Sequence, residues 1–163
     1  MPFFQEPPRL NNQFDDDPLL PSWIARHVPE RHHGEIASEL HQLGDLAVTY
    51  YAKQLLDREN EPVLTQWDAW GNRIDRIEVT QLWKEAAKIA AERGVVGSAY
   101  ERKFGEHSRI LQFSLVYLLE PSWHVYSCPL AMTDGAARTR GRTSSRSSTC
   151  SGRRSMSTRA RSR

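Results

Sequence analysis

Apolar positions recur at helical spacing through most of the first 137 residues. The clearest pattern lies within residues 31–58, where the apolar side chains would form one stripe along a long helix. The residues of this stripe are Ile36, Leu40, Leu43, Ala47, Tyr50 and Leu55. Gly44 lies in the middle of this predicted helix, where a glycine lowers stability but usually permits the close approach of a neighbouring segment.

Further helices are predicted from similar patterns and from residues that cap or break helices. Their approximate ranges are 19–28, 81–93, 97–104 and 107–119, and one more helix starts near Pro129. Thr80 is predicted to cap the second of these, and Gly94 to end it. The helix over 107–119 is apolar almost all round, which predicts a central position in a helical bundle.

Two segments depart from this helical pattern. Residues 62–79 alternate apolar and polar side chains on both sides of "AWGN", which predicts a small β-hairpin. Residues 1–17 are rich in proline, which disfavours a helix and predicts an extended arm. The predicted anchors of this arm are Phe3, Phe4, Leu10 and Phe14.

Charge divides the chain into two parts. Residues 138–163 contain nine Arg and no acidic residue, which leaves 13 basic and 20 acidic residues in 1–137, a net charge of −7. Arg, Ser and Thr make up 21 of those last 26 residues. Such a segment cannot bury apolar area, so we expect 138–163 to be a disordered basic tail behind a helical domain over 18–137.

Histidines and carboxylates offer few candidates for a chemical site. His33 and His41 lie about two helical turns apart, and His32 points to another face, whereas a structural metal site needs converging ligands. We therefore interpret these histidines as part of a solvated helix face and predict no metal site. The acidic run 15–17 lacks the ligand pattern of a calcium loop and is interpreted as a cluster at a helix start.

Cys128 is the one cysteine of the helical part, and Cys150 lies in the tail, so a disulfide framework is not expected. No histidine and acid accompany Cys128 in a recognisable signature, and we interpret it as a buried structural cysteine. Of the five tryptophans, those at 67, 70, 83 and 123 are expected to pack in the core or on the hairpin. The sequence has no secretory signal pattern or membrane-spanning run, which predicts an intracellular protein.

Three separated stretches together resemble a known family. They are "FFQEPPRLNNQFDDDPLLPSWIARHVP", "WDAWGNRIDRIEVTQLWKEAA" and "EPSWHVYSCPLAMTDGAART". In this order they resemble the acyl-CoA dehydrogenase family, in its AidB-like, adaptive-response branch. The resemblance covers about residues 3–139 and only the N-terminal part of such proteins.

The resemblance implies an all-α N-terminal helical domain with an extended arm and a small hairpin. It implies that the intact parent is an FAD-dependent oxidoreductase that acts on acyl-CoA thioesters, commonly as a homotetramer, in the cytoplasm, peroxisome or mitochondrion. Since the stretches that would resemble the flavin and catalytic domains are absent, it assigns no catalytic or FAD-binding residue, and the chain itself is expected to be inactive. It offers Cys128, Leu130 and Met132 as tentative lining of the acyl-chain pocket, with plain core packing as the alternative.

The Arg-rich tail begins inside the third of these stretches. This abrupt change predicts that the sequence after Ala137 comes from a frameshift or a mis-spliced gene. The alternative is a non-catalytic helical interaction protein, whose tail binds nucleic acid weakly and without sequence specificity.

Overall fold

The computed structural model describes residues 4–6, 8–56, 62–123 and 126–154, with side chains described as far as Arg140. Six α-helices and one antiparallel hairpin occupy these residues. In chain order they are α1 (Leu20–His27), α2 (His33–Leu56), β1 (Val63–Trp67), β2 (Arg73–Glu78), α3 (Gln81–Glu92), α4 (Ser98–Glu101), α5 (Ser108–Leu119) and α6 (Ser127–Arg154). A short 3-10 turn precedes α2, another precedes α5, and a third follows α5. Each predicted element is present within a few residues of its expected bounds, and the predicted fold class is confirmed.

The core of the helical domain lies between α2 and α5. Ile36, Leu40 and Leu43 of α2 are fully buried, as are Leu115 and Leu119 of α5 to within 1%. Complete burial of each such side chain contributes roughly 1.5–3 kcal/mol. The central position predicted for α5 therefore holds for one face of the helix only, because Phe113 and Tyr117 on its other face are 61% and 50% exposed.

Helix α3 begins as the sequence predicts. The Thr80 hydroxyl accepts a hydrogen bond from the backbone N–H of Trp83 at 3.1 Å, which satisfies one of the free donors at the helix start. Gly94 follows the helix with φ +57°, a left-handed conformation that favours glycine. The cap and the stop are therefore both confirmed.

The N-terminal arm is attached to α2 through Asn12. Its side-chain amide donates to the backbone carbonyl of His41 and to the Asp45 carboxylate, both at 2.8 Å. Of the predicted anchors, Phe14 is buried at 8% exposure, whereas Phe4 and Leu10 are exposed, so the prediction was wrong for these two. The hydrogen bonds of Asn12 hold this part of the arm without them, and Phe3 lies outside the described residues.

Arm and helix come so close that Gly44 has no room for a side chain. A Cβ atom at this position would lie 2.1 Å from Asn12 Oδ1 and 2.8 Å from the backbone nitrogen of Phe14. The predicted role of Gly44 in close packing is therefore confirmed, and the closely packed neighbour is the arm.

In the antiparallel hairpin, Leu64 lies opposite Ile77 and Thr65 lies opposite Arg76. Its turn is organised by Asp68, whose carboxylate accepts the backbone N–H groups of Trp70 and Asn72, each at 2.9 Å. The side-chain amide of Asn72 is the largest cause of a lowered pKa for Asp68.

The tryptophans at 67, 70, 83 and 123, four of the five in the chain, differ in burial. Trp123 is buried at 2% exposure and Trp83 is half-buried, in agreement with core packing. Trp67 and Trp70 of the hairpin are 57% and 86% exposed, so packing was wrongly predicted for them. The strands make their extensive contacts with each other, which leaves these side chains uncovered within the described part of the chain.

The described chain divides into two compact units, residues 1–127 and 128–163. In the second unit, α6 continues beyond Ala137 to Arg154. The disorder expected for the basic tail 138–163 stays a prediction. Residues 155–163 lie outside the described residues.

Substitution Gly44→Ala tests the contact between arm and helix. We expect it to lower the free energy of unfolding by about 2 kcal/mol, because the new methyl group displaces Asn12 and Phe14. Urea denaturation followed by circular dichroism measures the change. The matched control is Gly34→Ala in the same helix, where a Cβ meets nothing within 4 Å. That variant should keep or raise stability, since alanine favours a helix by up to about 1 kcal/mol.

Candidate functional site

An apolar groove runs between α1 and α5. Its volume is about 330 Å³. The residues that line it are Leu19, Leu20, Trp23, Arg109, Ile110, Phe113, Ser114 and Tyr117. Several of these large side chains are half or more exposed, including Leu19 at 63% and Phe113 at 61%. The groove is therefore an apolar surface that would gain free energy if another apolar group covered it.

Asp17 sets the position of α1 beside α5. Its carboxylate oxygen accepts the backbone N–H groups of Leu19 and Leu20, each at 2.7 Å, and its other oxygen accepts the Tyr117 hydroxyl at 2.7 Å. Partial burial opposes ionisation, but these hydrogen bonds outweigh it and lower the pKa of Asp17. The interpretation of the acidic run as a cluster at a helix start is therefore confirmed for Asp17.

The ends of the groove carry aromatic and cationic groups. The Trp23 ring lies 3.9 Å from the ring of His27, centroid to centroid. The Arg109 guanidinium donates to Gln112 at 2.6 Å and to the Tyr100 hydroxyl at 3.1 Å. It also lies 4.9 Å from the centre of the Tyr100 ring, a cation–π geometry. These contacts hold the arginine to its own helix and to α4, and the walls of the groove stay apolar.

A second polar cluster joins α2 to α3. The Glu85 carboxylate accepts hydrogen bonds from Lys53 at 2.7 Å and from the Tyr50 hydroxyl at 2.9 Å. Gln81 adds a third bond at 3.2 Å. The Lys53 bond is the largest cause that lowers the pKa of Glu85 to about 2. Since its partners come from both helices, this carboxylate fastens α3 onto α2.

The three histidines considered as metal ligands, His32, His33 and His41, each contact a different neighbour. His33 Nε2 lies 2.6 Å from the Val28 carbonyl oxygen, and the His32 ring meets the edge of Phe104 at 5.2 Å. His41 Nδ1 lies 3.0 Å from the Asp15 carboxylate, and this bond raises the pKa of His41. Within the described ranges, no three side chains of the metal-binding types converge.

The three residues predicted to line an acyl pocket lie near the start of α6. Cys128 is exposed, Met132 is 71% exposed and Leu130 is half-buried. Burial of Cys128 was therefore wrongly predicted, because the first turns of α6 do not surround it with apolar side chains. Residues two apart on a helix do not share a face, so Leu130 points away from the other two. The pocket role of these residues stays a prediction.

Sequence reasoning did not find the groove between α1 and α5. Its lining residues come from segments about ninety positions apart, and Phe113 and Tyr117 lie in a helix that is apolar almost all round. The sequence signal was the excess of apolar residues on α5, more than one buried face requires.

Solved structures define the class of protein. Crystallised ACDH-11 of Caenorhabditis elegans, in complex with C11-CoA, superposes with a TM-score of 0.78 at 35% identity, over 84% of this chain and 23% of that one. The apo form of Bd2924 gives a TM-score of 0.77 at 42% identity, over 84% of this chain and 27% of that one. The described fold is therefore that of the N-terminal helical part of an acyl-CoA dehydrogenase.

The sequence comparisons give the family. The model of the adaptive response protein AidB N-terminal domain matches residues 5–149. Acyl-CoA dehydrogenase family member 11 of C. elegans is 37% identical over 141 residues, which are 84% of this chain and 22% of that protein. The chain belongs to the AidB N-terminal domain family, as the resemblance of the three stretches predicted.

The extent of these matches has two consequences. The chain spans less than a third of the length of the relatives it matches. The family match also extends past Ala137 into the Arg-rich segment, beyond the limit near residue 139 set by the three stretches. The origin of that segment in a frameshift stays a prediction.

None of the described helices is long and apolar enough to cross a membrane.

The polar cluster at Glu85 predicts an acid-dependent loss of stability. Because the pKa of Glu85 is about 2 in the folded chain and 4.5 in its unperturbed state, its stabilisation is complete above pH 4.5 and is lost as the pH falls towards 2. Urea denaturation at a series of pH values should show this loss for the natural chain. In Glu85→Gln the curve should be flatter over the same pH range; equal slopes for both would contradict the prediction.

Proposed function

We propose that this chain supplies the N-terminal helical domain of an FAD-dependent acyl-CoA dehydrogenase, an oxidoreductase that acts on the CH–CH bond of acyl-CoA thioesters. The observation that carries this proposal is the likeness in sequence and fold to ACDH-11, whose structure contains C11-CoA. The parent protein would bind the acyl-CoA substrate with domains beyond this one and would assemble as a homotetramer.

The described residues do not by themselves fit a flavin. The pyrophosphate of FAD needs backbone N–H groups or cations directed at it. The walls of the groove between α1 and α5 are apolar, and its one arginine is directed at Tyr100 and Gln112. We therefore assign no catalytic step to this chain, and its role in the parent is to form a wall against which other domains pack.

The groove between α1 and α5 is the surface proposed for that contact. Its exposed apolar side chains would lower the free energy of association by roughly 25 cal/mol for each Å² that another domain covers. Cys128, Leu130 and Met132 remain candidates to line the acyl pocket of the parent, once other domains complete it.

The purified chain should carry no flavin and should not oxidise acyl-CoA. Absorbance in the visible flavin band tests the first point, and acyl-CoA-dependent reduction of an artificial electron acceptor tests the second. Full-length ACDH-11, assayed in parallel, is the control for both measurements. Flavin that copurifies in stoichiometric amount with the chain would contradict this division of roles.

The natural protein can be examined directly with an antibody against residues 30–110. We expect it to recover a species several times heavier than 18.7 kDa that carries flavin absorbance. A stable species of 18.7 kDa that contains tail peptides and no flavin would contradict the proposal.

The alternative function is a non-catalytic interaction protein with a nucleic-acid-binding tail. The observation that favours it is the run of nine Arg without an acidic residue in 138–163. Such binding should weaken steeply with salt, because it releases counterions from the phosphate backbone. Fluorescence anisotropy with a labelled duplex at several salt concentrations measures it. Under this alternative, affinity is lost on deletion of 138–163 and the natural protein is the short species.

A further inference from the structure

The β-hairpin presents an uncovered apolar face and an unpaired edge. Leu64, Ile74 and Ile77 are 53%, 44% and 66% exposed. The sheet has only β1 and β2 within the described residues, so the outer edge of β2 has no neighbour there. An isolated two-stranded hairpin is at best marginally stable in water, and a third strand would stabilise it.

A bulge in β2 decides which side chains share a face. Thr65 is opposite Arg76 and Trp67 is opposite Arg73, so two steps along β1 match three steps along β2. The extra residue lies at Asp75 or beside it, since Asp75 has φ +44°. Because of this bulge, Ile74 falls on the same face as Ile77 although the two are three residues apart.

The sequence of β2, "RIDRIE", is complementary to itself when read in the opposite direction. In an antiparallel pair with a second copy, Arg73 would be opposite the partner's Glu78, and Ile74 opposite the partner's Ile77. Two-fold symmetry about an axis perpendicular to the sheet requires opposite residues to share a face, and the bulge satisfies this for both pairs. We propose that β2 pairs with β2 of a second copy, which gives a four-stranded antiparallel sheet.

This pairing would join the apolar residues of the two hairpins. Leu64 lies opposite Ile77 within the hairpin, and Ile77 would lie opposite the partner's Ile74. Leu64, Ile77 and the partner's Ile74 would thus form a row of three apolar side chains. The two-fold symmetry produces a second, identical row on the same face of the four-stranded sheet. Neighbouring apolar side chains of this kind stabilise a sheet by roughly 0.2–1 kcal/mol per pair.

The charges of β2 favour this one partner. Charged residues on an edge strand normally prevent pairing, because the neighbour places like charges opposite them. Within each strand Arg73 is paired with Asp75 at 2.6 Å, and Arg76 is paired with Glu78. A second copy would set opposite charges against both ends of the strand. The bulge interrupts the backbone hydrogen bonds at the centre of β2. The residues at the two ends of the strand would therefore form the pairs with the second copy. This inference is independent of the proposed function.

Charge exchange on the full chain tests the interface. Sedimentation velocity of the natural chain should show a dimer at micromolar concentration. Arg73→Glu and Glu78→Arg should each raise the dissociation constant about tenfold, because symmetry places two like-charge pairs in each dimer. A mixture of the two variants should recover the dimer, since acid then faces base at every pair. Lys88→Glu on α3, at a side chain 73% exposed, is the matched control and should leave the dimer unchanged.

Three outcomes would overturn the inference. They are a monomeric natural chain at these concentrations, a dimer that neither exchange weakens, and single variants that dissociate without recovery on mixing. The last outcome would mean that the exchanges disrupt the hairpin itself, through Asp75 and Arg76, and not an interface. Circular dichroism of each variant, compared with the natural chain, confirms that the helical domain is folded in every sample.

Discussion

The buried apolar contact between α2 and α5 is the interaction on which the helical domain depends. Five large aliphatic side chains, three from α2 and two from α5, are removed almost completely from water there. Their burial contributes part of the free energy that offsets the loss of conformational freedom in ordering both helices. Beside this contact, the buried Ser122 hydroxyl donates a hydrogen bond to the Ala47 carbonyl of α2 at 2.8 Å. Helices α1 and α3 contact α2, and α4 contacts α5, so this pair also positions these three helices.

Polar groups then position the arm, α1 and α3 with a precision that apolar packing alone does not give. Asn12 fixes the arm at the one turn of α2 where Gly44 leaves room for it. Asp17 links the start of α1 to Tyr117 of α5, and Glu85 links α3 to α2. Each link is a short, directional hydrogen bond, so it sets the distance between two elements. The groove between α1 and α5 has its shape because of the link at Asp17.

The groove between α1 and α5 and the face of the hairpin are apolar surfaces that the described core leaves uncovered. A domain that made no contacts beyond its own core would not expose Phe113 and Ile77 to this extent. The surfaces differ in chemistry. The groove is concave and apolar, and suits another domain of an acyl-CoA dehydrogenase. The hairpin edge is patterned in charge along its length, and suits a second copy of itself.

The sequence alone determined the elements, because their signals are local. Thr80 and Gly94 mark the bounds of α3, the stripe from Ile36 to Tyr50 gives the buried face of α2, and "AWGN" gives the turn of the hairpin. The family was likewise evident from three stretches of residues. The tertiary structure decided what these elements face. Exposure of Cys128, Trp67 and Phe4 depends on which neighbours are present, and the groove joins residues about ninety positions apart. Burial and juxtaposition are set by packing between distant segments, whose pairing no local pattern of residues encodes.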